Sequence, residues 1–355
     1  MIFGFSYWGF CEEYNDSCVV DTPDGGRFTR PIFVKELLSR GISVVSLQKQ
    51  REIKPINGLS FSSGFPKIDC LFIEWRWSTY KNDVSHPLHK KEYYEPDLDR
   101  QSELLDYYSG KIPIIIWDTD IKMTEDDVRK HSKHAILMEP TIVNRDGFER
   151  LLYFTDYSID LFDCTKPLNR YVYVGSNYER YSSVDKYYFS ISNELRKNGI
   201  EVHFWGNWLN VSPERPEQSE MIKKYSDGIF FHKRNKFIDG MQIINSSICV
   251  THISKNEYYK RGLITPRFFE SLACNTPAFV PEEFIVNDMY GAEFVVNEKN
   301  ILEKIIEVGD FNFQERQAAC FKQRENMAKV LPDTDVKACI NKILKYFGGQ
   351  NAVSN

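Results

Sequence analysis

A pair of doubly wound α/β lobes facing a central cleft is the fold class this sequence predicts, on three observations. The chain has 355 residues, too many for one ordinary hydrophobic core and suited to two domains of roughly 150 residues each. Short continuous apolar runs, without polar alternation, recur between helix-like stretches closed by glycine; this is the pattern of parallel strands buried on both faces. The pattern restarts after Lys166-Pro167-Leu168-Asn169. The expected division is therefore an N-terminal lobe over 1–167, a C-terminal lobe over 168–334, and a closing helix and tail over 335–355 that returns toward the first lobe.

The elements follow in order. Residues 2–6 and 42–47 read as strands flanking a helix over 31–40, with Gly41 as its stop, which makes a βαβ unit. Cys70-Leu71-Phe72-Ile73-Glu74 and residues 112–117 supply two more buried strands, and the helix between them, over 98–108, ends before Gly110. The second lobe opens with Tyr171-Val172-Tyr173-Val174-Gly175, continues through a helix over 184–198 stopped by Gly199, and reaches a strand over 202–205. A short helix around 238–244 precedes a strand over 248–251. A helix beginning near Arg267 runs into the strand Ala278-Phe279-Val280, and helices over 313–329 and 335–346 complete the chain.

Apolar and charged fractions of 42% and 27% are ordinary for a folded protein. The N-terminus has neither the basic start nor the long apolar run of a secretory signal, and no segment reaches membrane-spanning length, so a cytoplasmic protein off the membrane, acting as a monomer, is expected. The eight cysteines include no Cys-x-x-Cys pair, which fits free buried thiols in a reducing compartment. A net charge of −5 argues against a protein that coats nucleic acid, but an enzyme visiting DNA needs only one basic face. His89-Lys90-Lys91 and His232-Lys233-Arg234-Asn235-Lys236 are candidates for that face, or solvated surface.

Ligands of open α/β sheets sit beyond the carboxyl ends of the strands, so polar residues just after apolar runs are the candidates for chemistry. Asp118 and Asp120 follow the strand ending at Trp117; they suit a general base, or equally the capping of a helix starting at Thr124-Glu125-Asp126-Asp127. Gly175 and Ser176 permit close approach of a pyrophosphate, with Arg180 near enough to neutralise it. Gly206 follows the strand ending at Trp205 in the same way, or is a plain turn glycine. Arg267 and Glu270 share one helix face, either as a solvated ion pair or as a phosphate-pairing guanidinium and a carboxylate that takes both ribose hydroxyls. In the first lobe, Arg27 and Arg30 border a glycine-rich loop leading into a helix and are candidates to touch the sugar or the acceptor. Trp75, Arg76 and Trp77 suit stacking on a base and pairing with phosphate, or simple interface packing.

Taken together, these segments resemble the DNA β-glucosyltransferase family of T-even phages and, more loosely, other glycosyltransferases of the two-lobed GT-B type. Thr119-Asp120-Ile121-Lys122 resembles a Thr-Asp-Ile-Arg run whose Asp is the catalytic base. Gly175-Ser176 resembles a Gly-Gly-Ser turn, although Tyr178 falls where the nearer donor-contacting arginine aligns, so that role passes to Arg180 from a shifted position. Phe204-Trp205-Gly206-Asn207 resembles Phe-Phe-Gly-Asn, and the Arg267 to Glu270 stretch, continuing into Glu282-Glu283-Phe284, resembles the donor-binding helix. The resemblance implies two Rossmann-like lobes and inverting transfer of a sugar from a UDP-sugar to a 5-hydroxymethylpyrimidine, foremost 5-hydroxymethylcytosine, in double-stranded phage DNA. Asp120 takes the acceptor proton, Arg267 and Arg180 offset the leaving diphosphate, and Glu270 holds the ribose. It implies no resident metal and leaves a divalent cation optional; Asp-x-Asp is a metal signature of a different glycosyltransferase fold. Two alternatives stay open: the same fold with a glycan, lipid or small-molecule acceptor, and a non-catalytic nucleotide-binding or interaction protein in which Asp120 is only a helix cap.

Overall fold

A computed structural model describes residues 1–7, 28–47, 59–75, 96–176, 179–208, 220, 222–224 and 228–348, with only the backbone of 96–99. The chain divides into two compact units, Met1–Thr155 with Asp333–Asn355, and Asp156–Pro332.

The first unit is built on β1 (Ile2–Ser6), β2 (Ser43–Ser46), β3 (Leu59–Phe61), β4 (Cys70–Glu74), β5 (Ile114–Trp117), β6 (Ile136–Glu139) and β7 (Glu149–Arg150). Their order is β3-β2-β1-β4-β5-β6-β7, with every pairing parallel. The chain winds outward from β1 in one direction and from β4 in the other, so the strand order reverses between β1 and β4, the place where such sheets bind ligands. β4 is buried along its whole length because both faces are covered. On one face Ile73, Ile116 and Leu137 pack with Leu104 and Leu105 of the Pro96–Tyr108 helix. On the other, Phe33 of the Thr29–Ser39 helix meets the rings of Phe3, Phe5, Phe72 and Phe154 at 5.3–5.7 Å between centroids. That helix carries Pro31 in its first turn and ends before Gly41 at φ 72°, the left-handed stop that glycine adopts without penalty.

The closing helix, Val336–Tyr346, belongs to the first unit. Asp335 caps it through the backbone N–H groups of Lys337 and Ala338, pairs with Thr155 in a parallel bridge, and Arg40 Nη1 reaches Asn341 at 2.6 Å. The first unit ends at Thr155 and not near 167. Residues 156–167 are stitched to the second unit instead: Leu161 N–H donates to the Ala273 carbonyl at 2.7 Å, and Asn275 Nδ2 donates to Asp160 at 3.0 Å and to the Phe162 carbonyl at 2.8 Å.

The second unit contains β8 (Arg170–Val174), β9 (Glu201–Trp205), β10 (Ile229–His232), β11 (Val250–Thr251), β12 (Ala278–Pro281) and β13 (Val295–Val296). Two parallel sheets, β10-β9-β8 and β11-β12-β13, are joined by a parallel bridge between Tyr171 and Cys249. The order again reverses, here between β8 and β11. The helix expected over 184–198 is three pieces: an α-turn at Tyr181–Val184, a π-helix at Asp185–Phe189 and an α-helix at Ser192–Lys197. The cause is the run Tyr187-Tyr188-Phe189, in which all three rings are fully buried. An α-helix spreads three consecutive side chains over roughly 200°; the wider π-turn lets Tyr188 stack on Tyr171 at 4.2 Å while Phe189 meets Phe204 at 5.2 Å.

Candidate functional site

In the second unit the reversal point lies at the carboxyl ends of β8 and β11, where the chain continues as Gly175-Ser176 and as His252. Gly175 N–H donates to the Trp205 carbonyl at 2.9 Å, and its own carbonyl accepts from Trp208 Nε1 at 2.8 Å. Arg267, first residue of the Arg267–Ala273 helix, lies directly on this turn. A β-carbon on Gly175 would sit 2.5 Å from Arg267 Cζ and closer still to both terminal nitrogens. Tyr173, on β8, holds the guanidinium: its hydroxyl accepts from Arg267 Nη1 at 2.9 Å and its ring centroid lies 5.3 Å from Cζ. Gly206 closes the cradle, since a β-carbon there would come 2.9 Å from the Gly175 carbonyl carbon and nearer to its oxygen. Thus Gly175, Gly206 and Arg267 are brought together, with small residues where the backbone must approach and one guanidinium over them, which is an anion-binding arrangement.

Around this cradle, Arg180 Nη1 donates to the Ser176 carbonyl at 3.3 Å, placing Arg180 and Ser176 on one turn. Glu270 sits one helical turn from Arg267 and is only 7% exposed, so it is not half of a solvated surface pair. His252 Nε2 lies 3.1 Å from Ser271 Oγ and 3.0 Å from the Tyr290 hydroxyl. Burial, and then the Arg267 charge, push the His252 pKa down to about 3. The imidazole is therefore neutral at physiological pH and adds no positive charge beside Arg267. Glu283 accepts from Lys186 and from the Tyr187 hydroxyl, and these bonds outweigh its burial to hold its carboxyl below the usual range.

In the first unit, Asp118 and Asp120 have different fates. Asp118 has no exposed surface; it accepts the backbone N–H of Lys122 at 2.7 Å and of Met123 at 2.8 Å, and Arg145 Nη2 at 2.5 Å. Burial raises its pKa, opposed by those bonds. Arg145 is held in turn by Glu139 at 2.7 Å. The carboxylate of Asp118 thus ties the turn after β5, and the next helix, Glu125–His131, is capped by Thr124 in a capping box with Asp127. Neither Asp118 nor Asp120 is that cap. Asp120 is exposed at the tip of the turn, and Ile121 after it is held at φ 57°, a conformation costly for a β-branched residue and typical of functional turns.

Tyr153 lies beside this turn. Its phenol is pushed well above the ordinary range by burial and then by the carboxylates of Asp120 and Glu74, opposed by a hydrogen bond with Thr119. Glu74, 5% exposed at the end of β4, is bound by Arg30 through Nε at 3.0 Å to each oxygen and Nη2 at 2.6 Å. Arg30 is 6% exposed, so its guanidinium is committed to Glu74 and turned from the acceptor contact expected of it. Trp75, 4% exposed, packs in the core edge-on to His131 at 5.4 Å, the interface packing that was the alternative to base stacking. Arg27, Arg76 and Trp77, and the basic run at 89–91, lie outside the described residues.

No protein-family model and no curated protein sequence matches the chain. Solved structures do. A structure of phage T4 β-glucosyltransferase with UDP-glucose superposes with a TM-score of 0.62 at 14% identity, covering 98% of this chain and 99% of that one. The same enzyme is represented with UDP and Mn2+ (TM-score 0.61) and in a crystal structure that describes it as DNA modifying (TM-score 0.59), with the same identity and coverage. A glycosyltransferase of avilamycin A biosynthesis matches with a TM-score of 0.58 at 10% identity, over 98% of this chain and 97% of that one. The chain has the GT-B fold.

On this GT-B framework the predicted donor residues gather at the reversal point of the second unit, and Asp120 stands at a strand end in the first. The residues not foreseen are Tyr173, His252, Tyr153 and the Arg30–Glu74 pair. Tyr173 and Tyr153 were hidden inside apolar runs. His252 was legible only as the first polar residue after β11. Among the described residues no helix is long and apolar enough to cross a membrane.

Proposed function

We propose that the protein is an inverting glycosyltransferase that moves a sugar from a UDP-sugar to a 5-hydroxymethylpyrimidine, foremost 5-hydroxymethylcytosine, in double-stranded DNA. The observation that carries the donor assignment is the Arg267 guanidinium seated on the Gly175 turn and held by Tyr173. A diphosphate placed at that turn meets a fixed cation and backbone kept clear of side chains. Arg180 adds a second charge, and Glu270 takes the ribose hydroxyls.

In the reaction the acceptor hydroxyl oxygen forms a bond to the anomeric carbon as the bond from that carbon to the diphosphate oxygen breaks, inverting the centre and releasing UDP. The hydroxyl proton passes to the Asp120 carboxylate, while Arg267 offsets the charge that develops on the leaving group. The DNA acceptor is supported by likeness to the phage enzyme along nearly the full length of both chains, and by Lys233, Arg234 and Lys236, exposed beyond the carboxyl end of β10.

The test is incubation with radiolabelled UDP-glucose, UDP-xylose and UDP-N-acetylglucosamine, each with DNA containing 5-hydroxymethylcytosine and with unmodified DNA. Label is expected on the modified DNA alone. Donor turnover with no label on either DNA rejects the acceptor. Asp120→Asn should abolish transfer with UDP binding intact, and unchanged transfer by that variant removes Asp120 as the base.

A further inference from the structure

The sheet β10-β9-β8 buries one face in the core, through Val202, Phe204 and Ile229, and carries on the other a stack of rings that the proposed reaction does not use. Register sets Phe230 directly opposite His203 and His232 directly opposite Trp205. Paired strands lie about 4.8 Å apart, so parallel rings on opposed residues meet face to face. Phe230 lies over His203 at 4.6 Å with 22° between planes, and His232 over Trp205 at 4.2 Å with 12°. The two imidazoles are almost coplanar, at 4°, and His203 Nδ1 is 2.9 Å from His232 Nε2. His203 Nε2 is 2.9 Å from a Glu201 carboxylate oxygen, which only accepts, so His203 carries its proton there and His232 donates to Nδ1. Trp205, the joined imidazole pair and Phe230 thus form three parallel layers, and burial, which lowers both histidine pKa values, keeps the imidazoles neutral.

The stack is open on its outer side. Among the described residues β10 is the outer strand of its sheet, and Phe230, the outermost ring, is 49% exposed. The chain leaves β10 through Lys233-Arg234-Asn235-Lys236, whose three cations are all exposed. Asp239 is the single acidic residue between there and β11, so positive charge is in excess. Arg170 and Glu201, on the same face as the rings, sit opposite each other and offset. An open ring face with surplus positive charge beside it is the combination that holds unstacked nucleobases and their phosphates.

We propose that the outer edge of β10 binds single-stranded nucleic acid, with a base stacked on Phe230 and neighbouring phosphates on Lys233, Arg234 and Lys236. Lys233 follows Phe230 by three residues, roughly 10 Å along the strand direction, the length of about three nucleotides at a 3.4 Å spacing. In a duplex each interior base already has a neighbour on both faces, so it offers nothing to an exposed ring; a base of a single strand does. A second copy of this chain docking edge to edge would set one positively charged edge against another. The proposal goes beyond the transferase reading and does not depend on it: the stacking needs neither a sugar donor nor a modified base, and none of these side chains belongs to the cradle at Gly175.

The experiment is fluorescence anisotropy on the full chain with labelled, unmodified oligothymidylate and with a duplex of the same length, without sugar donor, over a series of salt concentrations. The single strand is expected to bind more tightly than the duplex. Phe230→Ala should weaken single-strand binding by about fivefold to a hundredfold, the worth of one stacked base, and Phe230→Tyr should retain it. Lys233→Gln should make the slope of log affinity against log salt shallower by about 0.7, one phosphate contact on a single strand. Phe230 and Lys233 are exposed, so these variants should stay folded, which thermal melting checks. Absence of single-strand binding at low salt, equal affinity for the two forms, or single-strand binding unchanged in folded Phe230→Ala overturns the proposal. Self-association of the chain that is lost in Phe230→Ala assigns the edge to a second copy and overturns it equally. None of these outcomes bears on sugar transfer, which is read from labelled donor and Asp120→Asn.

Discussion

Gly175→Ala separates a binding role of the Arg267 cradle from a purely structural one. The added methyl would lie 2.5 Å from Arg267 Cζ and closer to both terminal nitrogens, far inside van der Waals contact. The atoms in the way are the end of a flexible side chain, so the guanidinium moves, while the backbone at φ 156° adds a strain for alanine that lowers stability separately from binding. A displaced arginine forfeits a charge-assisted hydrogen bond to the diphosphate, about 1.5–3 kcal/mol, or roughly tenfold to hundredfold in UDP affinity. Titration calorimetry with UDP reads that loss, and thermal melting shows whether the variant is folded. Because the methyl acts through Arg267, the double variant Gly175→Ala with Arg267→Gln should bind UDP no more weakly than Arg267→Gln alone. Wild-type UDP affinity in folded Gly175→Ala, or simple addition of the two effects, would refute the cradle.

Gly206→Ala should behave oppositely, because its methyl meets the Gly175 backbone, which cannot swing away; its melting temperature should fall by more than that of Gly175→Ala. Asp118→Ala should cost about 1–3 kcal/mol in urea unfolding, as it leaves two backbone donors unpaired and takes one of two buried carboxylates from Arg145, whereas exposed Asp120→Asn should unfold like wild type. For His252, the folded pKa of about 3 lies below the unfolded value near 6.5. Between these values the unfolded chain binds the extra proton, so this residue contributes stability that is present above about pH 6.5 and falls by about 1.4 kcal/mol for each pH unit below it. Denaturant titrations from pH 7 to pH 5 should show a slope shallower by one proton in His252→Asn, and an unchanged slope would place the acid sensitivity elsewhere. Ile121→Gly should relieve the left-handed strain and hold stability level despite the lost side chain, while Ile121→Val, equally strained, should not; chemical unfolding of both variants compares them.

The parts of this fold legible in sequence are those that local sterics decide. Gly41, Gly110 and Gly199 were read as helix stops, and each adopts φ near 73°, where only glycine sits without cost. Cys70-Leu71-Phe72-Ile73-Glu74 was read as a strand covered on both faces, and β4 spans the same residues. What could not be read depends on neighbours far along the chain. Three consecutive aromatics look like ordinary helix until Tyr171 and Phe204 arrive beneath them, and only then is a π-turn the better packing. Arg30, beside Pro31, looks like a loop arginine open to an acceptor, yet it meets Glu74 forty-four residues on because the strand order sets β1 next to β4. Within the candidate site the same division holds. Gly175 and Gly206 are legible as small residues after apolar strands, and Arg267 and Glu270 as charges three apart on one helix, whereas Tyr173 and Tyr153 are aromatic residues in apolar segments whose hydroxyls meet Arg267 and the Asp120 turn only once the chain is folded. A buried phenol beside a carboxylate has no one-dimensional signature, because the burial that keeps it protonated is supplied by other strands.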